Sequence, residues 1–159
     1  MHSEKQQILM HYEKSIRWLE RLSAVTDKQW RMPIQQGKWT VAEVIGHLIP
    51  WDDFVINERI PLLFTDGPLP KGPDVQQMNA AAAMSSRQQS KEQTLHALLT
   101  RRRLLLRAME GLSDELWQRT FQIGRSELTL YMYFSGLIEH DEHHFLQVQN
   151  VIGEMEWIR

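Results

Sequence analysis

Apolar residues recur three and four positions apart along most of this chain, and strict alternation of apolar and polar residues is almost absent. That spacing fits the 3.6 residues of a helical turn, so each segment carries an apolar stripe that must be buried against another helix. The chain is therefore read as all-α. At 159 residues it matches the size of one domain, and 1–159 is taken as a single helical-bundle domain. No stretch approaches the roughly 20 apolar residues of a membrane span. The opening MHSEKQQILMHYEKS carries acidic residues where a secretory signal would have a basic start and an apolar run, so a cytoplasmic location is expected.

Local signals divide the chain. Ile8, Tyr12, Ile16 and Leu19 share one stripe and predict a first helix over about 3–24. Pro33 and Gly37 punctuate WRMPIQQGKW, which reads as a loop. Thr40 and Glu43 then form a Thr-x-x-Glu capping box that starts a helix running through VAEVIGHLIPWDDFVINERI, with a kink expected near His47 because Pro50 removes a ladder bond. Four prolines and two glycines between Pro61 and Pro73 mark an irregular connection of the length that often carries function, and substrate choice is expected to lie there and in the pocket walls. Segments 74–88 and 91–111 are both helix-prone, as one bent helix or as two, with Ser90 and Gln93 able to cap a new start. SDELWQ reads as a short helical turn and FQIGRSE as a loop or extended link. The last helix spans about Glu127 to Ile152, with Gly153 as its stop. Helices joined mostly by short links imply a bundle of four long helices with a longer crossing connection.

Cysteine is absent, which removes disulfides, thiol nucleophiles and thiolate metal sites, so any ligand or nucleophile must be oxygen or nitrogen. A net charge of −2 offers nucleic acid no long-range attraction. Arg101, Arg102, Arg103 and Arg107 do cluster, but leucines 104–106 interrupt them, and the group is read as a solvated helix face. No P-loop, Gly-x-Gly-x-x-Gly or Ser-His-Asp pattern is present. Trp18 and Trp51 sit at core spacing and read as packing.

The chemistry that remains belongs to the seven histidines. His140 and His144 stand four apart and lie nearly above each other on a helix, so their imidazoles can share one metal ion. On a helical wheel centred on Leu137 they fall at about −60° and −20°, at the edge of the core-facing stripe, whereas His143 at about −120° faces solvent. Asp141 falls near 40°, inside the apolar face, and is expected to bond a helix terminus or one of the ligand histidines. A third ligand must come from another helix, and His47 beside Val44, Leu48 and Trp51 is the best candidate; taken alone it reads as a hydrogen-bonded core histidine. His2, His11 and His96 lack such company.

Taken together, GKWTVAEVIGHLIPWDD and the later HDEHHFLQVQ resemble the DinB-like four-helix-bundle superfamily, with its YfiT-type metal-dependent hydrolases. That pattern sets a helix-borne His after a Trp-Ser/Thr-x-x-Glu start, then His-x-x-x-His with a Gln three residues on. Here the positions are Trp39, Thr40, Glu43 and His47, then His140, His144 and Gln147. The resemblance implies a DinB-like bundle, commonly a homodimer, holding a divalent ion through His47, His140 and His144. Nickel or zinc is the ion it implies first, with iron or manganese next, since imidazoles alone do not select among such metals. The usual His-Arg-Gly-Gln ending is replaced by His144-Phe145-Leu146-Gln147, which removes an arginine that could bind an acidic substrate.

The function expected is therefore that of a metal-dependent enzyme acting on a small molecule, either a hydrolase or a transferase using a low-molecular-weight thiol. With no cysteine in the chain, such a thiol would come from a cosubstrate. Glu43, Asp52 and Asp141 are the candidate bases, each with a structural hydrogen bond as its competing role, and for Glu43 the cap is the favoured use. The alternative is a non-enzymatic metal- or ligand-binding module of the same fold. No nucleic-acid or membrane partner is expected.

Overall fold

A computed structural model describes residues 2–153. Four long helices form the bundle: α1 (Ser3–Arg21), α3 (Val41–Phe54), α5 (Lys91–Glu110) and α6 (Leu130–Ile152). A short helix α2 (Asp27–Trp30) lies in the first link, and α4 (Val75–Gln88) packs along α3. The all-α reading holds, with one small exception.

That exception is a two-stranded hairpin, β1 (Thr120–Ile123) against β2 (Ser126–Thr129), where a link and the start of the last helix were expected. Gly124 supplies the positive φ of 59° that the tight turn needs. Thr129 then accepts the Met132 N–H at 3.2 Å, which sets the beginning of α6 at Leu130 rather than near Glu127. Its other end is as expected, with Gly153 at φ 68°.

Side-chain caps decide most other boundaries. The Thr40–Glu43 box is formed in both directions, and so is the Ser90–Gln93 box. The second box settles the open question over 74–111: Gln89 and Ser90 are extended, so two helices are present. Pro50 lies within α3 without ending it, and the turn at Val55–Arg59 widens to a π-helix before the chain leaves for α4.

The core falls into two halves. One gathers Trp18, Leu22, Val44, Leu48, Leu98, Phe145 and Val148; the other gathers Ile8, Tyr12, Val55, Leu105, Met109, Leu130 and Phe134. Between them, at the same level of all four long helices, lies a buried polar layer: His11 and Ser15 of α1, Asp52 of α3, Arg102 of α5 and Asp141 of α6. Arg102 binds both oxygens of both carboxylates, with Nε 2.7 Å from Asp52 Oδ2 and Nη2 2.8 Å from Asp141 Oδ1. His11 Nε2 lies 2.9 Å from Asp141 Oδ2. The basic cluster of α5 is thus no single solvated face. Arg102 is only 2% exposed because it sits on the same stripe as Leu95, Leu98, Leu105 and Met109, whereas Arg101 and Arg103 reach outward to Asp53 and Glu20.

The Pro61–Pro73 connection belongs to the second half of the core. Leu63 is buried there, Phe64 and Leu69 pack beside it, and Arg59 Nη1 pins the strap by donating to the Pro70 carbonyl at 3.0 Å.

Candidate metal centre

The three histidines singled out by spacing come together. His47, at the middle of α3, is buried; His144 is half-buried and His140 exposed, one helical turn apart on α6. One ring nitrogen from each lies within 4.8 Å of the other two, and the His140 and His144 Nε2 atoms are 3.1 Å apart. Nitrogens bound to a common ion at about 2.1 Å in tetrahedral geometry are roughly 3.4 Å apart, so the cluster is of ligand dimensions. His143 is exposed, as the helical wheel requires.

Hydrogen bonds select which nitrogen faces the cluster. His47 Nδ1 bonds the Val44 carbonyl, and His144 Nδ1 lies 2.8 Å from Gln147 Oε1. Both partners are oxygens that only accept, so Nδ1 carries the proton and the Nε2 lone pair is left available in each ring. Such orientation of an imidazole through its far nitrogen is the usual support for a metal ligand. Burial, and after it the nearby His144, pushes the His47 imidazole down to about 4. Burial also lowers His140 and His144. The rings are therefore held neutral, the form that binds cations. Trp39, from the loop before α3, stands with its ring 5.0 Å from that of His47.

A cleft of about 420 Å³ opens beside His144, walled by Ile34, Lys38, Trp39, Val44, His144 and Gln147. One wall comes from the loop 34–39 and the rest from α3 and α6, and none of the lining residues belongs to the 61–73 connection expected to carry substrate choice. That connection packs instead on the other half of the core, through Leu63, Phe64 and Leu69.

The carboxylates sit elsewhere in the bonding scheme. Glu43 Oε1 accepts from Thr40 N and Oγ1 at 3.3 and 3.0 Å, and its Oε2 accepts from Arg87 at 2.8 Å. Asp52 and Asp141 spend both oxygens on Arg102. Asp141 does lie in the core, but its partners are Arg102 and His11 rather than a helix terminus or a ligand histidine. His11 accordingly has company that its isolation in the sequence did not suggest. Burial raises the Asp141 carboxyl, yet Arg102 and His11 outweigh it and hold the group well below the usual range; at Asp52 burial wins over Arg102 and lifts the carboxyl to about 6. Sequence reasoning missed Arg102 and His11 as members of the core. The signal was present, since both fall on apolar stripes, Arg102 between Leu98 and Leu105 and His11 between Ile8 and Trp18.

A helical bundle with three convergent imidazoles on facing helices defines a class of candidate metalloproteins. Comparison with known families narrows this: residues 14–148 match the DinB superfamily, and the chain belongs to it. Among solved structures it is similar to YfiT from Bacillus subtilis, described as a probable metal-dependent hydrolase with an unusual four-helix bundle topology. The two share 21% identity and superpose with a TM-score of 0.78 over 99% of this chain and 91% of that one, a likeness that establishes the fold. No curated protein sequence matches this chain. Among the described residues, no helix is long and apolar enough to cross a membrane.

Proposed function

We propose that this protein is a metal-dependent hydrolase acting on a small molecule, with His47, His140 and His144 holding one divalent ion, nickel or zinc. The observation that carries the reading is the arrangement of donors: three imidazoles converge, and two of them have Nδ1 occupied so that Nε2 is left free as a donor. When bound, a divalent ion supplies Lewis acidity, polarising an electrophile and activating water for attack. The chain's own residues do the rest. Gln147 and the Val44 carbonyl orient two rings, Trp39 covers His47, and the adjoining cleft admits the substrate.

One observation favours a second reading, a metal-binding bundle without turnover: both oxygens of Glu43, Asp52 and Asp141 are already engaged, so none of the three is a spare base. Elemental analysis of the purified, metal-reconstituted protein tests the common part. One ion per chain is expected, lost in the H140A/H144A double variant, and a wild-type protein that takes up no metal refutes both readings. A panel of esters and amides, run beside electrophiles offered with low-molecular-weight thiols, then separates them. Metal-dependent hydrolysis supports the enzyme, thiol transfer redirects the reaction type, and a metal-loaded protein silent on every substrate leaves the binding module.

A further inference from the structure

The cleft beside His144 has an uneven charge. Its lining is apolar at Ile34, Val44 and the Trp39 ring and amide at Gln147, and Lys38 is the one charged side chain in it. The loop is built to hold that lysine at the rim. Pro33 and Thr40 pair as a β-bridge, and the Ile34 N–H donates to the Trp39 carbonyl at 2.8 Å. Between them the Lys38 N–H closes a turn on the Gln35 carbonyl at 3.0 Å, and Gly37 takes the φ of 74° that such a turn needs at its third position. Lys38 is exposed, and among the described residues no carboxylate forms an ion pair with it. Other cations nearby are spoken for: Arg31 bonds the Ser86 and Gln89 carbonyls, and Arg87 bonds Glu43.

Imidazole ligands bring no negative charge to a divalent ion held between them, and Lys38 adds a positive charge at the mouth of the same cleft. We infer that the site takes small carboxylate-bearing molecules, with Lys38 as the group that binds the carboxylate away from the reacting centre. This rests on the metal reading above.

Hydroxamates provide the probe, because their two oxygens chelate a divalent ion irrespective of turnover. The nickel-loaded protein is titrated calorimetrically with succinic, glutaric and adipic monohydroxamates, and with the neutral alkyl hydroxamates of matching length. At least one acidic probe is expected to bind about two- to fivefold more tightly than its neutral partner, the scale of an exposed ion pair. That preference should vanish in K38M, persist in K38R and shrink as salt is raised. The fold of each variant is checked by circular dichroism; Lys38 is exposed, so none should unfold. A preference that survives K38M, or equal binding of acidic and neutral probes by the wild type, overturns the assignment of Lys38 while the neutral probes still report a loaded metal. Absence of nickel on elemental analysis, with no probe bound, overturns the metal reading itself and this inference with it.

Discussion

Replacing Arg102 by methionine should be among the most damaging single changes in the bundle. The guanidinium is 2% exposed and donates to both oxygens of Asp52 and of Asp141, which are themselves 5% and 3% exposed. R102M fills much of the volume but leaves two buried carboxylates without their shared cation, Asp141 keeping His11 as a hydrogen-bond partner. Breaking a buried pair from one side costs about 3–5 kcal/mol, a large part of the roughly 5–15 kcal/mol that holds a domain together. The sign of the pH dependence follows from Asp52. Burial already lifts this carboxyl to about 6 against the pull of Arg102, with Asp141 and Asp53 adding to the rise. Without the arginine it rises further above its unfolded value of about 4. A folded-state pKa above the unfolded one means that folding takes up a proton; the contribution is full below pH 4 and is lost as pH climbs through the folded value. The R102M deficit, measured by urea unfolding followed by circular dichroism, should therefore be larger at pH 8 than at pH 5. The D52N/R102M/D141N variant, which removes the stranded charges, should recover most of the loss at pH 8. An R102M protein within 1 kcal/mol of wild type at pH 8, or a triple variant no more stable than R102M, would refute this account.

Two other changes probe separate parts of the structure. A Cβ added at Gly46 would stand 2.8 Å from the Ser86 Cβ, so G46A should force α3 and α4 apart and lower stability by roughly 1–2 kcal/mol after the helix-propensity gain of alanine; thermal unfolding of G46A beside G46A/S86G checks it, the second being the less damaged. Q147L removes the oxygen that orients His144 and should weaken metal binding about 10- to 100-fold in chelator competition, with the thermal midpoint of the metal-free protein little changed. Equal affinity in Q147L would mean that Gln147 does not position the ligand.

The parts legible in the sequence were those decided within a turn or two of helix. Thr40 with Glu43 and Ser90 with Gln93 announce helix starts because the caps are formed by neighbours in the chain, and His140 with His144 share a face by the same local geometry. His47 could be nominated as their partner from its place beside an apolar stripe. What escaped were features set by residues far apart in sequence. Arg102 reads as one of four surface arginines until Asp52 and Asp141 are brought to it from 50 and 39 residues away. His11 has no visible partner until α6 lies beside α1, 130 residues on. The hairpin at 120–129 escaped for another reason: its strands are four residues each, too short for alternation to register. Nor could the sequence say where the proline-rich connection would settle: Leu63, Phe64 and Leu69, read locally as loop residues, place it on the opposite half of the core from the cleft beside His144.

The polar layer also bears on why the imidazoles meet at all. His47 and Asp52 lie on α3, and His140 and Asp141 are adjacent on α6, so the two helices that carry the ligands are the two that Arg102 joins. Apolar stripes alone constrain axial register weakly, because leucine, valine and phenylalanine can repack at modest cost if volume is kept. Slipping α6 by one residue would rotate its side chains by about 100°, carrying His140 and His144 away from His47. The same slip would pull Asp141 from Arg102 and His11 and leave buried charge unpaired, a penalty of several kcal/mol. The arrangement that satisfies the buried charges is thus also the one that brings the three imidazoles together, and an error in either is felt by both.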